Sequence, residues 1–183
     1  NLEIKNRFVV PPIATNLANP DGFVTEKMKA YYAERAKGGF GLVIVEVACV
    51  QPPVGKTIAR QLNIDDDKYI TGLAELAKVI KANGARAGLQ VHHAGRAAKM
   101  RFTHMQPVAP SALPEPPWPW GSPKFGDTPR ELTIAEIEEL VERYAQGALR
   151  AVKAGFELVE VHGATGYLVA QFLSAGSNHR QDR

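Results

Sequence analysis

The sequence alternates between strand-patterned and helix-patterned segments, and that alternation limits the possible folds more than any other feature. Runs around Val9-Val10, Leu42-Val43-Ile44-Val45, Arg86 to Val91 and Leu158 to Val161 are rich in β-favouring residues. The first predicted helix runs from a Thr25 cap to about Lys37, with Met28, Tyr31, Tyr32 and Arg35 at near-helical spacing. The second carries a stripe of Ile70, Leu73, Ala77 and Ile80, with Gly84 past its end. The third opens on a capping box, Thr133 with Glu136, and closes at Gly155. Its predicted apolar stripe is Ile137, Leu140, Val141, Tyr144, Ala148 and Val152. A shorter helical piece follows around Leu168 to Phe172. Strict β/α alternation implies an α/β fold with a parallel sheet and right-handed crossovers.

Polar residues gather where these strands end: Glu46, then Gln90, His92 and His93, then Glu160 and His162. Strand alternation places Leu158, Glu160 and His162 on one face, and Glu46 on the face of Leu42 and Ile44. A carboxylate and an imidazole on an apolar strand are costly to bury without partners. One reading is a half-exposed strand with a wet face. The other is a parallel strand opening into a polar site, favoured by Gly163 and Gly166, which free the backbone for a tight loop. On that reading Glu46, Gln90 and His162 share a rim with Tyr167 over it, where a (β/α) barrel places its active site. Pro11-Pro12 ends the first strand and leaves the backbone of Ile13 to Asn16 free for a ligand or for a plain exit. No Gly-rich phosphate fingerprint follows any strand, which counts against a Rossmann or P-loop domain.

The 183 residues suffice for one domain with a real core. The net charge of +3 comes from scattered Lys and Arg, and no basic run interleaves with aromatics, so no nucleic-acid partner is expected. No apolar run reaches the roughly 18 residues of a membrane span. The single cysteine, Cys49, excludes an internal disulfide framework and suits a reducing, cytoplasmic compartment. Asp65-Asp66-Asp67 could be a metal site but is better read as capping the helix that follows. The proline-rich stretch from Pro107 to Pro129, with Trp118, Trp120 and Phe125, reads as an ordered loop over a site mouth, or as a polyproline segment for a partner.

Taken together, several of these pieces resemble the flavin-dependent old yellow enzymes and the related 2,4-dienoyl-CoA and 2-enoate reductases. They are Asn6-Arg7-Phe8-Val9-Val10-Pro11-Pro12, the run Tyr32 to Glu46, Gln90-Val91-His92-His93-Ala94-Gly95-Arg96 and Ala109-Pro110-Ser111. His162-Gly163-Ala164-Thr165-Gly166-Tyr167-Leu168, Gln171-Phe172-Leu173-Ser174 and Asn178-His179-Arg180-Gln181-Asp182 complete the set, which covers essentially the whole chain. Pro11-Pro12-Ile13-Ala14-Thr15-Asn16-Leu17-Ala18 resembles the enoate and dienoyl-CoA reductase branch. The resemblance implies the N-terminal half, about four βα units, of a TIM (β/α)8 barrel holding FMN at its mouth. It implies that backbone at Pro12, Ile13 and Ala14 lines the flavin, joined by Val47, and that Gln90 hydrogen-bonds its pyrimidine edge. His162 and Thr165 would bind the carbonyl oxygen of an α,β-unsaturated substrate, and Tyr167 would protonate the α-carbon. NAD(P)H would be the reductant, and a homo-oligomer is left open.

This chain departs from the family pattern in three places. Thr165 stands where His or Asn is usual, with one hydroxyl donor on a shorter side chain. Ala14 replaces a residue that often tunes the flavin through a Thr or Cys side chain. The chain ends at Arg183, where the family continues through four more strands, so residues 1–183 are expected to be a partial domain. Barrel phosphate sites typically use the loops after strands 7 and 8, so this half alone is expected to be inactive, and to belong to a longer enzyme or a site completed by another chain. Intact relatives of this branch often add an iron–sulfur cluster and an FAD-containing nucleotide domain. The competing reading is a metal-dependent barrel hydrolase or lyase using His92 or His93 with His162 and Glu46 or Glu160.

Overall fold

A computed structural model describes residues 1–117 and 125–182. In chain order the elements are β1 (Val9–Val10), α1 (Glu26–Lys37), β2 (Leu42–Cys49), α2 (Ile70–Ala82), β3 (Arg86–His92), α3 (Met100–Thr103), β4 (Val108–Ala109), β5 (Arg130–Glu131), α4 (Ile134–Lys153), β6 (Leu158–Val161) and α5 (Leu168–Leu173). The main sheet has the order β1-β2-β3-β6, and every neighbouring pair is parallel. The alternation of the sequence is therefore an alternation of elements. Among the described residues no helix is long and apolar enough to cross a membrane.

The helices begin where side chains can serve their free backbone donors. Thr25 Oγ accepts from Met28 N–H and donates to the Leu17 carbonyl, tying α1 to the preceding loop. Thr133 and Glu136 form the predicted capping box of α4. Asp66 accepts from Lys68 N–H and so caps the turn that leads into α2, as expected for the acidic triplet. Asp67 instead pairs with Arg150 of α4.

All of β2 is buried, as a strand covered on both faces must be. Val43, Val45 and Ala48 join the helix-side core with Met28 and Tyr32 of α1 and with Leu73, Leu76, Ala77 and Ile80 of α2. Ile44 and Leu158 close over Gly88, where a Cβ would lie 3.4 and 3.0 Å from them. The face assignment for Glu46 needs correcting. Val45 pairs with Leu89 but Ala48 pairs with Val91, so Glu46 and Val47 together oppose Gln90 in a β-bulge. A bulge breaks the two-residue side-chain period, and Glu46 reaches Tyr32 of α1.

The buried stripe of α4 also differs from the predicted one. Leu140, Gly147 and Ala151 are buried, whereas Val141 and Val152 are 66% and 61% exposed. The helix approaches the sheet at its small residues: a Cβ on Gly147 would meet Val50, Ile64 and Val91 at 3.1 to 3.6 Å. The segment between β3 and α4 is partly built from β4 and β5, a second parallel pair. Val108 and Leu132 there pack with Val54, Leu140 and Leu168 in a smaller core, so this connection lies against the start of α5. Trp118 and Trp120 fall outside the described residues.

Candidate active site

β3 and β6 run side by side with Gln90 opposite Glu160, and this register builds the site in two steps. Gln90 Nε2 donates to Glu160 Oε1 at 2.6 Å, leaving the buried Gln90 Oε1 without a partner. Two residues further along each strand the same faces carry His92 and His162, whose ring centroids are 5.3 Å apart. Tyr167 closes the group, edge-on to His92 at 4.5 Å and to His162 at 4.8 Å.

The turn that brings Tyr167 back over the strand ends is tight. Thr165 and Gly166 both have left-handed backbones, with φ of 56° and 70°. Tyr167 N–H donates to the Ala164 carbonyl at 3.2 Å, and Leu168 N–H donates to the His93 carbonyl at 3.1 Å. The Gln171 side chain fastens α5 to the end of β3. Its Nε2 donates to the carbonyls of Ala94 and Gly166, and its Oε1 accepts from Arg96 N–H. That amide lies against Gly95, where a Cβ would sit 2.2 Å from Gln171 Oε1.

Burial sets the protonation of the imidazoles. It pushes His92 well below the ordinary histidine value, helped by the neighbouring His162 and His93. It pushes His93 down to about 3. It also lowers His162, against an opposing pull from Glu160. All three are neutral at neutral pH, each with one donor and one acceptor nitrogen. His93 spends both, accepting from Gly95 N–H at Nδ1 and facing Gln51 Oε1 from Nε2 at 3.0 Å. His92, fully buried, has no partner at either nitrogen.

The structure places the other sequence-predicted residues around this group. Pro12 is half-buried, and Ile13 and Ala14 are exposed in the loop after β1. Val47 is buried in the bulge, its carbonyl accepting from Gln61 Nε2 at 3.1 Å. Thr165 is exposed. The expected common rim must be revised for Glu46. Its Oε2 accepts from Thr15 N–H at 2.9 Å and lies 3.3 Å from the Tyr32 hydroxyl, so the carboxylate braces the loop after Ala14 against α1. Sequence reasoning missed the bracing roles of Glu46 and Gln171, because neither contact leaves a local pattern. Arg180 donates to the carbonyls of Pro110 and Leu132.

Burial raises the Glu46 carboxyl above its ordinary value, against the lowering pull of its hydrogen bonds from Thr15 and Tyr32. The folded state therefore holds this proton more tightly than the unfolded chain. Stability is highest below the ordinary carboxylate range and is lost as pH rises through the raised folded value. Glu46→Gln should remove that loss. Denaturant unfolding from pH 4 to 8 should show the variant gaining on the wild type as pH rises, and parallel curves would refute the assignment.

Among the described residues no group of three His, Cys, Asp or Glu side chains could hold a metal ion. His93 and Glu46 are already engaged with Gln51, Gly95, Thr15 and Tyr32. The metal-hydrolase reading is not favoured.

Comparison with known proteins gives a consistent answer. The chain is 48% identical over 184 residues to the NADH oxidase of Thermoanaerobacter brockii, matching 100% of this chain and 27% of that protein. It is 41% identical to an NADPH dehydrogenase of Geobacillus sp. (strain WCH70), over 98% of this chain and 50% of that one. It is 42% identical to the NADH:acrylate oxidoreductase of Vibrio harveyi, covering 17% of it. Among solved structures, the old yellow enzyme homologue from Zymomonas mobilis superposes with a TM-score of 0.88 at 33% identity, over 98% of this chain and 50% of that chain. The chain thus spans half or less of the length of these relatives, and its fold is a partial TIM barrel of the old yellow enzyme type. The family model for NADH:flavin oxidoreductases and NADH oxidases matches residues 1–183, and the chain belongs to that family.

Proposed function

We propose that this chain forms part of an FMN-dependent ene-reductase that passes hydride from NAD(P)H, by way of FMN, to the C=C bond of an α,β-unsaturated carbonyl or enoyl compound. The observation that carries the proposal is the cluster of His162 and Tyr167 above Gln90, at the C-terminal ends of adjacent parallel strands. A buried Gln90 Oε1 without a partner suits a ring that offers donors at its edge. Ile13 and Ala14 are exposed in the loop after β1, and Val47 is buried toward the end of β2, the strand between β1 and β3. The residues present therefore fit FMN, which when bound would supply the redox chemistry.

This chain's own groups would do the rest. Neutral His162 donates to the substrate's carbonyl oxygen, with Thr165 beside it, as negative charge collects there in the transition state. Tyr167 gives its hydroxyl proton to the α-carbon. Turn and helix hold the phenol in place, and the buried Cys49 thiol, pushed up to about 12, stays protonated and takes no part.

The test uses the full-length protein reconstituted with FMN. Stoichiometric flavin uptake, bleaching by NAD(P)H without oxygen and recovery of flavin colour on adding an enone are expected. A protein that takes up no FMN, or a reduced flavin that the enone leaves bleached, would refute the proposal.

A further inference from the structure

His92 is fully buried, and neither of its ring nitrogens has a partner. Burying an imidazole this way leaves its polar nitrogens with neither water nor a partner, which is unfavourable. A core position with no use for those nitrogens would be served better by leucine or phenylalanine. The position is also specific. His92 lies in the upper row of side chains beside His162, and both rings meet the edge of Tyr167. Nearby His93 shows the contrast, since both its nitrogens are engaged. Thr165, the other group expected at the carbonyl, is exposed on a left-handed turn at φ 56°.

We propose that His92 is the second hydrogen-bond donor to the substrate's activating oxygen, so that the oxygen is clamped by two imidazoles, His92 and His162, from adjacent strands. The inference rests on the ene-reductase reading and names a residue that reading does not include. A centroid separation of 5.3 Å is within the span that one oxygen can bridge by accepting an N–H from each ring. His92 ends β3, and His162 directly follows β6 with its backbone N–H donating to the Val91 carbonyl at 3.1 Å, so both donors are anchored to the sheet and need little reorganisation as charge builds.

The experiment compares His92→Phe with His92→Asn in the full-length, FMN-loaded protein. Phenylalanine keeps an aromatic ring against Tyr167 and His162 but has no donor; asparagine keeps a donor and loses the ring. Flavin absorbance gives the FMN content, the Kd of a saturated ketone (cyclohexanone) and the rates of both half-reactions. His92→Phe should weaken ketone binding about tenfold and slow reoxidation by 2-cyclohexenone about a hundredfold. Reduction by NAD(P)H should stay within about threefold of the wild type, a split that a packing role would not produce. His92→Asn should recover at least half of the loss on a logarithmic scale. A His92→Phe variant that loads FMN and reoxidises at the wild-type rate overturns the clamp. So does a pair in which Asn is as slow as Phe, since the ring and not the donor then matters. Wild-type protein that holds FMN but is not reoxidised by the enone removes the ene-reductase reading itself, and the clamp with it. If the Phe variant loads no FMN, the Asn variant decides alone: rates within about tenfold of wild type support the clamp, and a hundredfold loss overturns it.

Discussion

Tyr167→Phe is expected to slow reoxidation of the reduced flavin by an enone by about a hundredfold to ten-thousandfold, the range typical of a lost general acid. The substitution removes one oxygen and keeps the ring, so the edge-on packing against His92 and His162 survives. Backbone bonds from Tyr167 N–H to Ala164 and from Gln171 N–H to the Tyr167 carbonyl are also untouched. The loss should therefore fall on proton delivery and not on folding or on flavin uptake. Reduction by NAD(P)H needs no proton from this hydroxyl and should change little. Stopped-flow traces of the two half-reactions separate the cases, and equal slowing of both would remove Tyr167 as the acid.

Much of this architecture is legible in the amino-acid order. The apolar run of β2, the stripe of α2 and the Thr133–Glu136 box are local patterns, and each specifies its element directly. The adjacency of Gln90, His92 and His162 is legible too, because parallel neighbours deliver the same face at the same end. What escaped was everything set by a break in period or by a long-range contact. One extra residue in the bulge at Glu46-Val47 changes what Glu46 touches, and no composition signal marks a bulge in so uniformly apolar a strand. The buried face of α4 rotates toward Gly147 because close packing against Val50, Ile64 and Val91 of β3 rewards a missing side chain there. A periodicity count gives weight only to large apolar residues, so it points to Val141 and Val152 instead. The turn residues Thr165 and Gly166 are visible as a loop, but not as consecutive left-handed positions.

Gly95→Ala should destabilise the protein by about 2–5 kcal/mol and loosen Tyr167 at the same time, from two costs that add. The backbone there has φ of 60°, where a Cβ costs about 1–2 kcal/mol. The new methyl would also sit 2.2 Å from Gln171 Oε1, so the amide must leave. Its departure abandons the buried Ala94 carbonyl, a loss of about 1–3 kcal/mol, while the partly buried Gly166 carbonyl and Arg96 N–H can turn to water at little cost. Gln171 lies one turn into the helix that Tyr167 opens, so its release frees the end of the helix nearest the phenol. A double-mutant cycle isolates the steric part. In Gly95→Ala with Gln171→Ala the obstructing amide is already gone, so the pair should be less destabilised than the sum of the singles by about 1–3 kcal/mol. Urea unfolding of the four proteins measures this coupling. Strict additivity would mean that the methyl is accommodated without moving Gln171, and that the end of β3 and the start of α5 are not joined through this amide.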